Sequence, residues 1–70
     1  MRYSKAALVL MARGIYSHML ADELGVRPQS VSRWLAGQTP ARPELYEAIA
    51  AYSDQDFAQE VCRLVKQARE

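Results

Sequence analysis

The segment LADELGVRPQSVSRWLAG, which begins at Leu20, constrains the fold more than any other part of the chain. Gly25 can adopt the left-handed conformation that ends a helix, and Pro28 favours the first position of the next helix. The apolar residues that follow have helical spacing: Val31, Trp34 and Leu35. A tight glycine turn between two short helices describes a helix-turn-helix, with motif boundaries at about residues 17–37.

The rest of the chain predicts three more helices and no strand, because no stretch alternates apolar and polar residues. We therefore expect an all-α fold, a compact five-helix bundle that forms a single domain over residues 1–70. The first helix is predicted over Lys5–Arg13, with Ser4 as its N-cap and Gly14 after its end. It is apolar nearly all round, and we expect it in the core. Its predicted inward side is Leu8, Met11, Ala12 and Ile15.

The other helix boundaries follow from capping residues and prolines. Ser17 is predicted to cap the second helix and Pro43 to open the fourth. Ser53, with Asp56 three residues later, predicts a cap for a fifth helix over about residues 54–69. The predicted inward residues of these helices are Leu20, Ala21, Leu24, Leu45, Ile49, Tyr52, Phe57, Val61, Leu64, Val65 and Ala68, with Cys62 beside the last stripe as a small, half-buried residue.

Charge divides the chain unevenly, although its net charge is only +1. Residues 1–43 hold six basic and two acidic residues, a net charge of +4, whereas residues 44–70 hold three basic and six acidic residues, a net charge of −3. A basic front half and an acidic back half suit a protein that turns one face to a polyanion.

Several functional classes are excluded by composition. The apolar run Ala6–Ala12 is too short for a membrane helix, and no small-residue cleavage site follows it, so we expect neither a membrane span nor a secretory signal. Cys62 is the single cysteine, which indicates a reducing compartment and a cytoplasmic protein. His18 is the single histidine, so we expect no catalytic triad and no His-based metal site. Since no phosphate-cradling glycine loop or other catalytic pattern is present, we also expect no cofactor and no enzyme.

The pattern Ala21-x3-Gly25-x5-Val31-x2-Trp34, with its SVSRWLAG ending and the Pro/Arg loop after it, resembles the phage repressor and Cro family, also called XRE-like. The resemblance covers Ser17 to about Ile49. It implies a lambda-repressor-like helix-turn-helix that binds double-stranded DNA in the major groove, in a transcriptional regulator of the repressor type.

The residues that would touch DNA follow from this resemblance and from the polar side of the third helix. Major-groove base contacts are expected from Gln29, Ser30, Ser32 and Arg33. Phosphate contacts are expected from Ser17, His18, Arg27, Gln38, Thr39 and Arg42. Pro28 and Ser17 depart from the family pattern, because longer polar side chains are frequent at both positions; Arg27 is placed to compensate.

Assembly and biological role are less constrained. We expect a homodimer that binds two half-sites, with the apolar excess at Val9, Leu10 and the fifth helix as the contact. Three alternatives to a repressor stay open at this point. The chain could serve as an antitoxin-type or accessory DNA-binding protein with a protein partner, as a recombination or replication factor, or as a helical protein-interaction module without DNA.

Overall fold

A computed structural model describes residues 3–69 and places them in five α-helices: α1 (Lys5–Ala12), α2 (Ser17–Leu24), α3 (Pro28–Leu35), α4 (Pro43–Tyr52) and α5 (Gln55–Arg69). No strand occurs among these residues, so the all-α, five-helix prediction is confirmed. The helices pack into a nearly spherical body of 26 × 25 × 22 Å. No helix in the described part of the chain is long and apolar enough to cross a membrane.

The helix-turn-helix forms where the sequence predicts it. Gly25 ends α2 with φ +67°, and Val26 donates its N–H to the Ala21 carbonyl at 3.0 Å, which closes the turn. Ala21 is completely buried at the crossing of α2 and α3, where a small side chain lets the helices approach. Leu24 and Val26 are half-buried against the same core.

One core joins all five helices. Pro28 and Pro43 occupy the first positions of α3 and α4, as predicted. The core contains, among its largest members, Leu10, Leu20, Val31, Leu35, Leu45, Ile49, Val61 and Val65, each almost fully buried. Burying such a side chain contributes about 1.5–3 kcal/mol. The polar residues of α3 are fixed in direction because its apolar side is held in this core.

The buried side of α1 differs from the predicted one. Ala6, Leu10 and Ile15 are buried, whereas Leu8 is 52% exposed and Ala12 is also exposed. A short helix that is apolar nearly all round gives no periodic signal to choose its inward side, so packing against α3 and α5 decides it. Since Leu10 belongs to the core, the prediction that Leu10 contributes to a dimer contact is wrong.

Two predicted helix caps are each wrong by one residue. Tyr16, not Ser17, is the N-cap of α2, and Ser17 is the first helical residue. Asp54, not Ser53, caps α5: its Oδ1 accepts the Phe57 N–H at 2.7 Å. Ser53 instead ends α4 and donates its hydroxyl to the Ile49 carbonyl at 2.8 Å, so the capping box expected with Asp56 does not form.

The outer parts of two predicted apolar stripes lie at the surface. Tyr52 is 44% exposed and Ala68 is exposed, while Leu64 is half-buried. Cys62 is half-buried as expected, beside Tyr46. Burial, with a smaller contribution from the Cys62 thiol, raises the pKa of Tyr46 to about 12, so its phenol stays protonated near neutral pH.

Candidate nucleic-acid interface

The polar side of α3 is displayed outward by the burial of its apolar side. Val31, Trp34 and Leu35 are buried, and the residues between them project away from the core. Of the four predicted base-contacting residues, Gln29, Ser32 and Arg33 are exposed and Ser30 is half-buried. The helix contains no acidic residue, so its outer side offers hydroxyl, amide and guanidinium donors without a competing carboxylate.

The start of α3 is fixed by the dipeptide Arg27–Pro28. A residue before proline is restricted to extended conformations, and Arg27 has φ −79° and ψ 147° as the N-cap of α3. No capping side chain bonds to this helix end within residues 3–69, and its first turn carries no acidic residue. An exposed arginine therefore stands at the positive end of the helix dipole, which favours a nearby anion.

The start of α4 carries the same Arg-Pro pair, but Glu44 adds an acidic residue to its first turn. Arg42 is the N-cap before Pro43, with φ −75° and ψ 145°, again without a capping side chain in the described part of the chain. Its guanidinium carbon lies 5.7 Å from the centroid of the Trp34 ring. This cation–π contact holds the exposed Arg42 side chain against α3, so both arginines of the two Arg-Pro pairs flank that helix.

The loop between α3 and α4 begins directly on α3. Gln38 donates its N–H to the Arg33 carbonyl at 2.9 Å, and both Gln38 and Thr39 are exposed. Gly37, with φ +76°, reverses the chain here against the end of α5: a Cβ at this position would lie 2.9 Å from the Arg69 backbone nitrogen. The close approach fixes the loop relative to the bundle.

The start of α2 presents an aromatic pair instead of a capping side chain. The Tyr16 and His18 rings are stacked with a centroid separation of 5.9 Å and an interplanar angle of 8°, and both residues are exposed or half-exposed at the surface. Ser17 between them is at the first helical position. Within residues 3–69 no side-chain oxygen hydrogen-bonds to this helix end, but the Met19 sulfur accepts the Tyr16 N–H at 3.4 Å. The first amides of α2 thus remain available to an outside acceptor.

An open groove of about 190 Å³ brings four of the predicted site residues together. Ser17 from α2, Ser32 and Arg33 from α3, and Gln38 from the following loop line it. Tyr3 and Ser4, from the start of α1, complete its polar lining. The remaining predicted site residues do not line this groove: His18, Arg27, Gln29, Ser30, Thr39 and Arg42.

Acidic side chains gather in another place. A shallow groove between α2 and α4 has Glu23, Glu44 and Glu47 around Leu24, Ala48 and Ala51. No carboxylate lines the groove beside α3. The acid-free surface on α3 and this group of glutamates between α2 and α4 are therefore separate parts of the molecule.

Sequence reasoning misses three residues of this region. Tyr16 and Tyr3 have no sequence signal beyond their aromatic character, and the sequence predicts Ser4 only as a helix cap. That cap is present, because Ser4 Oγ accepts the Ala7 N–H at 3.2 Å. Only the packing of α1 against α3 shows that Ser4 and Tyr3 share a groove with the predicted residues.

Comparison with known proteins agrees with this geometry. A helix-turn-helix family model matches residues 7–62, which include α1 to α4 almost entirely and the first half of α5. No curated protein and no solved structure matches the chain. The match covers most of the chain, and it includes the glycine turn, the buried stripe of α3 and the following loop. The chain belongs to the Cro/C1-type, XRE-like helix-turn-helix family of DNA-binding regulatory domains.

Proposed function

We propose that this protein binds double-stranded DNA sequence-specifically and acts as a transcriptional regulator of the repressor type. One observation carries the proposal: the outer side of α3 is acid-free, and the exposed Arg27 and Arg42 stand at the starts of α3 and α4, where no side chain of the described residues caps the helix. An α-helix fits the major groove of B-DNA, where each base pair presents a distinct set of donors and acceptors. Such a regulator would act in the cytoplasm, on the nucleoid.

Base reading is assigned to the outward side of α3. Arg33 has the length and the two parallel donors that pair with guanine O6 and N7, and Gln29 can pair with adenine N6 and N7. Ser32 and the half-buried Ser30 are shorter and suit single hydrogen bonds. Burial of the opposite side of α3 supports this assignment, since it leaves these side chains facing away from the protein.

Phosphate binding is assigned to the residues around α3. Arg27 and Arg42 combine a positive charge with a helix start, and both features attract phosphate. Ser17 and His18 stand at the start of α2, and Gln38 and Thr39 in the exposed loop. Because phosphates carry no sequence information, these contacts orient α3 in the groove while the α3 residues discriminate among bases.

We propose a homodimer as the form that binds DNA. Two copies related by two-fold symmetry would place their α3 helices in half-sites about 34–36 Å apart. Leu8, exposed on α1, together with half-buried Val9, provides an apolar surface that a second copy can cover. Dimerisation would roughly double the number of bases read, which a helix of eight residues needs for a specific site.

Selection of bound duplexes from a random DNA pool tests the proposal. We expect an enriched motif with two-fold symmetry, and we expect the logarithm of the binding constant for it to fall linearly with the logarithm of salt concentration. A complex mass twice that of the chain, measured by sedimentation on the selected duplex, would support the dimer. A pool that shows no enriched motif would contradict sequence-specific binding, and a single half-site occupied by one chain would contradict the dimer.

A further inference from the structure

We propose that the groove lined by Tyr3, Ser4 and Ser17 is a binding site for one phosphate of the DNA backbone, and that Tyr3 and Ser4 are DNA-binding residues. This inference rests on the proposed DNA-binding function. It adds the start of α1 to the interface, which neither the helix-turn-helix pattern nor the family match assigns.

Position is the first argument. The groove is bounded on one wall by Ser32 and Arg33 of α3 and on another by Ser17 of α2. A DNA duplex whose major groove holds α3 brings its backbone past the start of α2. The strand that passes Ser17 therefore runs over the mouth of the groove.

The chemistry of the lining is the second argument. Six polar side chains face the groove and none is a carboxylate: Tyr3, Ser4, Ser17, Ser32, Arg33 and Gln38. Its two other lining residues are alanines, Ala7 and Ala36, whose small side chains let a ligand approach closely. Hydroxyl donors around a groove without carboxylates suit an anion that has several acceptor oxygens. The positive charge of Arg33 also favours an anion in the groove, even when its guanidinium group binds a base.

The state of Ser4 and Tyr3 is the third argument. Ser4 Oγ already accepts the Ala7 N–H at 3.2 Å, but a hydroxyl has one hydrogen to donate besides its acceptor sites. The α1 cap does not use that hydrogen, so it is free to be donated to a ligand in the groove. Tyr3 is 55% exposed at the rim, so its ring is not needed by the core and its hydroxyl can reach a ligand in the groove.

A pair of charge variants tests the phosphate-binding site without unfolding the protein. Ser4→Asp keeps an N-cap acceptor for α1 and adds a negative charge to the groove, whereas Gln59→Glu adds the same charge on the exposed surface of α5. The probe is a labelled duplex of mixed sequence, about 20 base pairs or two helical turns long, at low salt. We expect Ser4→Asp to weaken binding roughly tenfold or more and Gln59→Glu to weaken it no more than about twofold.

A second measurement locates the phosphate. Tyr3→Phe removes only the hydroxyl and should weaken binding about fivefold, since hydrogen bonds to charged groups are the stronger ones. Neutral methylphosphonate is then placed in turn at each backbone position of a selected duplex, on which the protein binds in one register. At one position the substitution should weaken the wild type but not Tyr3→Phe, which would identify a DNA phosphate rather than a free anion as the ligand.

The outcomes separate this inference from the function on which it rests. If wild-type protein binds no duplex, both are overturned. If the wild type binds and Ser4→Asp has the same affinity as Gln59→Glu, the proposed phosphate-binding site is contradicted and DNA binding stands. If methylphosphonate weakens binding by the same factor for the wild type and for Tyr3→Phe at every position, the groove holds no phosphate. Circular dichroism melting of each variant establishes that differences in binding are not differences in folding.

Discussion

The helices α3 and α5 are both apolar on one side and polar on the other, but they differ in the charged residues at their ends. At the start of α5, Asp54 caps the helix and Asp56 follows in the first turn, while basic residues occupy its last turn. Each of these charges complements the helix dipole. At the start of α3, Arg27 is the N-cap, and neither an acidic residue nor a capping side chain is present within residues 3–69.

The polar sides of the two helices differ in the same way. On α5, Glu60 and Arg63 form an ion pair with an N–O distance of 2.7 Å. On α3, Arg33 faces no acidic residue of its own helix. The chain therefore complements the dipole of α5 with its own residues and leaves the start of α3 without an acidic residue in its cap or first turn. Local rules of helix design that are broken in one place and obeyed in another indicate a functional site in the first.

The largest effect on stability is expected where the ends of α3 and α5 meet. Gly37→Ala would place a Cβ 2.9 Å from the Arg69 nitrogen and 3.0 Å from the Ala68 carbonyl carbon. Both are backbone atoms, so relieving the overlap requires a shift of the α5 backbone. Together with the left-handed φ, this should lower the free energy of unfolding by about 3 kcal/mol. Gly14→Ala is the matched control, since Gly14 has φ +74° and a Cβ there would meet no atom within 4 Å. It should cost only about 1 kcal/mol in urea denaturation; equal losses would contradict the close approach.

An aspartate N-cap on α3, like the one on α5, should change fold stability and DNA affinity in opposite directions. Arg27→Asp supplies a side-chain cap and reverses the charge at the helix start, so the free energy of unfolding should rise by about 1 kcal/mol. DNA affinity should fall roughly 100-fold at low salt, because a phosphate contact becomes a repulsion. Asp54→Ala is the control in the other direction: it should cost about 1 kcal/mol of stability and leave affinity unchanged. An Arg27→Asp protein with wild-type affinity would show that the start of α3 is remote from DNA.

Equal truncations on the two polar sides should have unequal consequences. Arg33→Ala should cost roughly 1–3 kcal/mol on the selected site and relax preference at one base position. Arg63→Ala removes the same side chain from α5, where it pairs with Glu60 at the surface, and should change stability by less than about 1 kcal/mol and base preference not at all. Affinities for matched and mismatched duplexes provide the measurement. A uniform loss on all duplexes for Arg33→Ala would mean that this arginine binds phosphate instead of a base.

The smallest effect is expected from Arg42→Ala. It removes a contact with the Trp34 ring at 5.7 Å, so it should destabilise the fold by only about 0.5 kcal/mol. It should also lower the magnitude of the salt slope by about one while preserving base preference. Titrations of one duplex at several salt concentrations distinguish this result from that of Arg33→Ala. An unchanged slope would show that Arg42 serves the Trp34 contact alone.

The helix-turn-helix is predictable from sequence because its boundaries are marked by residues with strong backbone preferences. Pro28 has a fixed φ that suits the first turn of a helix, and Gly25 readily adopts the left-handed conformation that other residues avoid. The caps of α2 and α5 are not predictable. Ser53 and Asp54 are adjacent candidates at α5 that only the hydrogen bonds distinguish, and the N-cap of α2 is Tyr16, a residue type without a capping preference. The inward side of α1 is also beyond sequence reasoning, since Leu8 and Leu10 are chemically equivalent until neighbours pack on one of them.

The candidate site divides in a similar way. The exposed residues of α3 can be predicted, because a stripe of Val31, Trp34 and Leu35 determines which residues face outward. The groove cannot, because its lining comes from α1, α2, α3 and a loop, and no spacing along the chain brings Tyr3 beside Ser32. The base and phosphate roles of the individual residues remain predictions.

The packing of Arg42 over Trp34 has an optical consequence. Trp34 is the single tryptophan of the chain, and its indole lies between the core and a guanidinium at the edge of the proposed interface. Its emission therefore reports two separate events without any added label. Unfolding hydrates the indole and moves the emission to longer wavelength, whereas a phosphate that draws Arg42 away changes the intensity of a ring that stays buried.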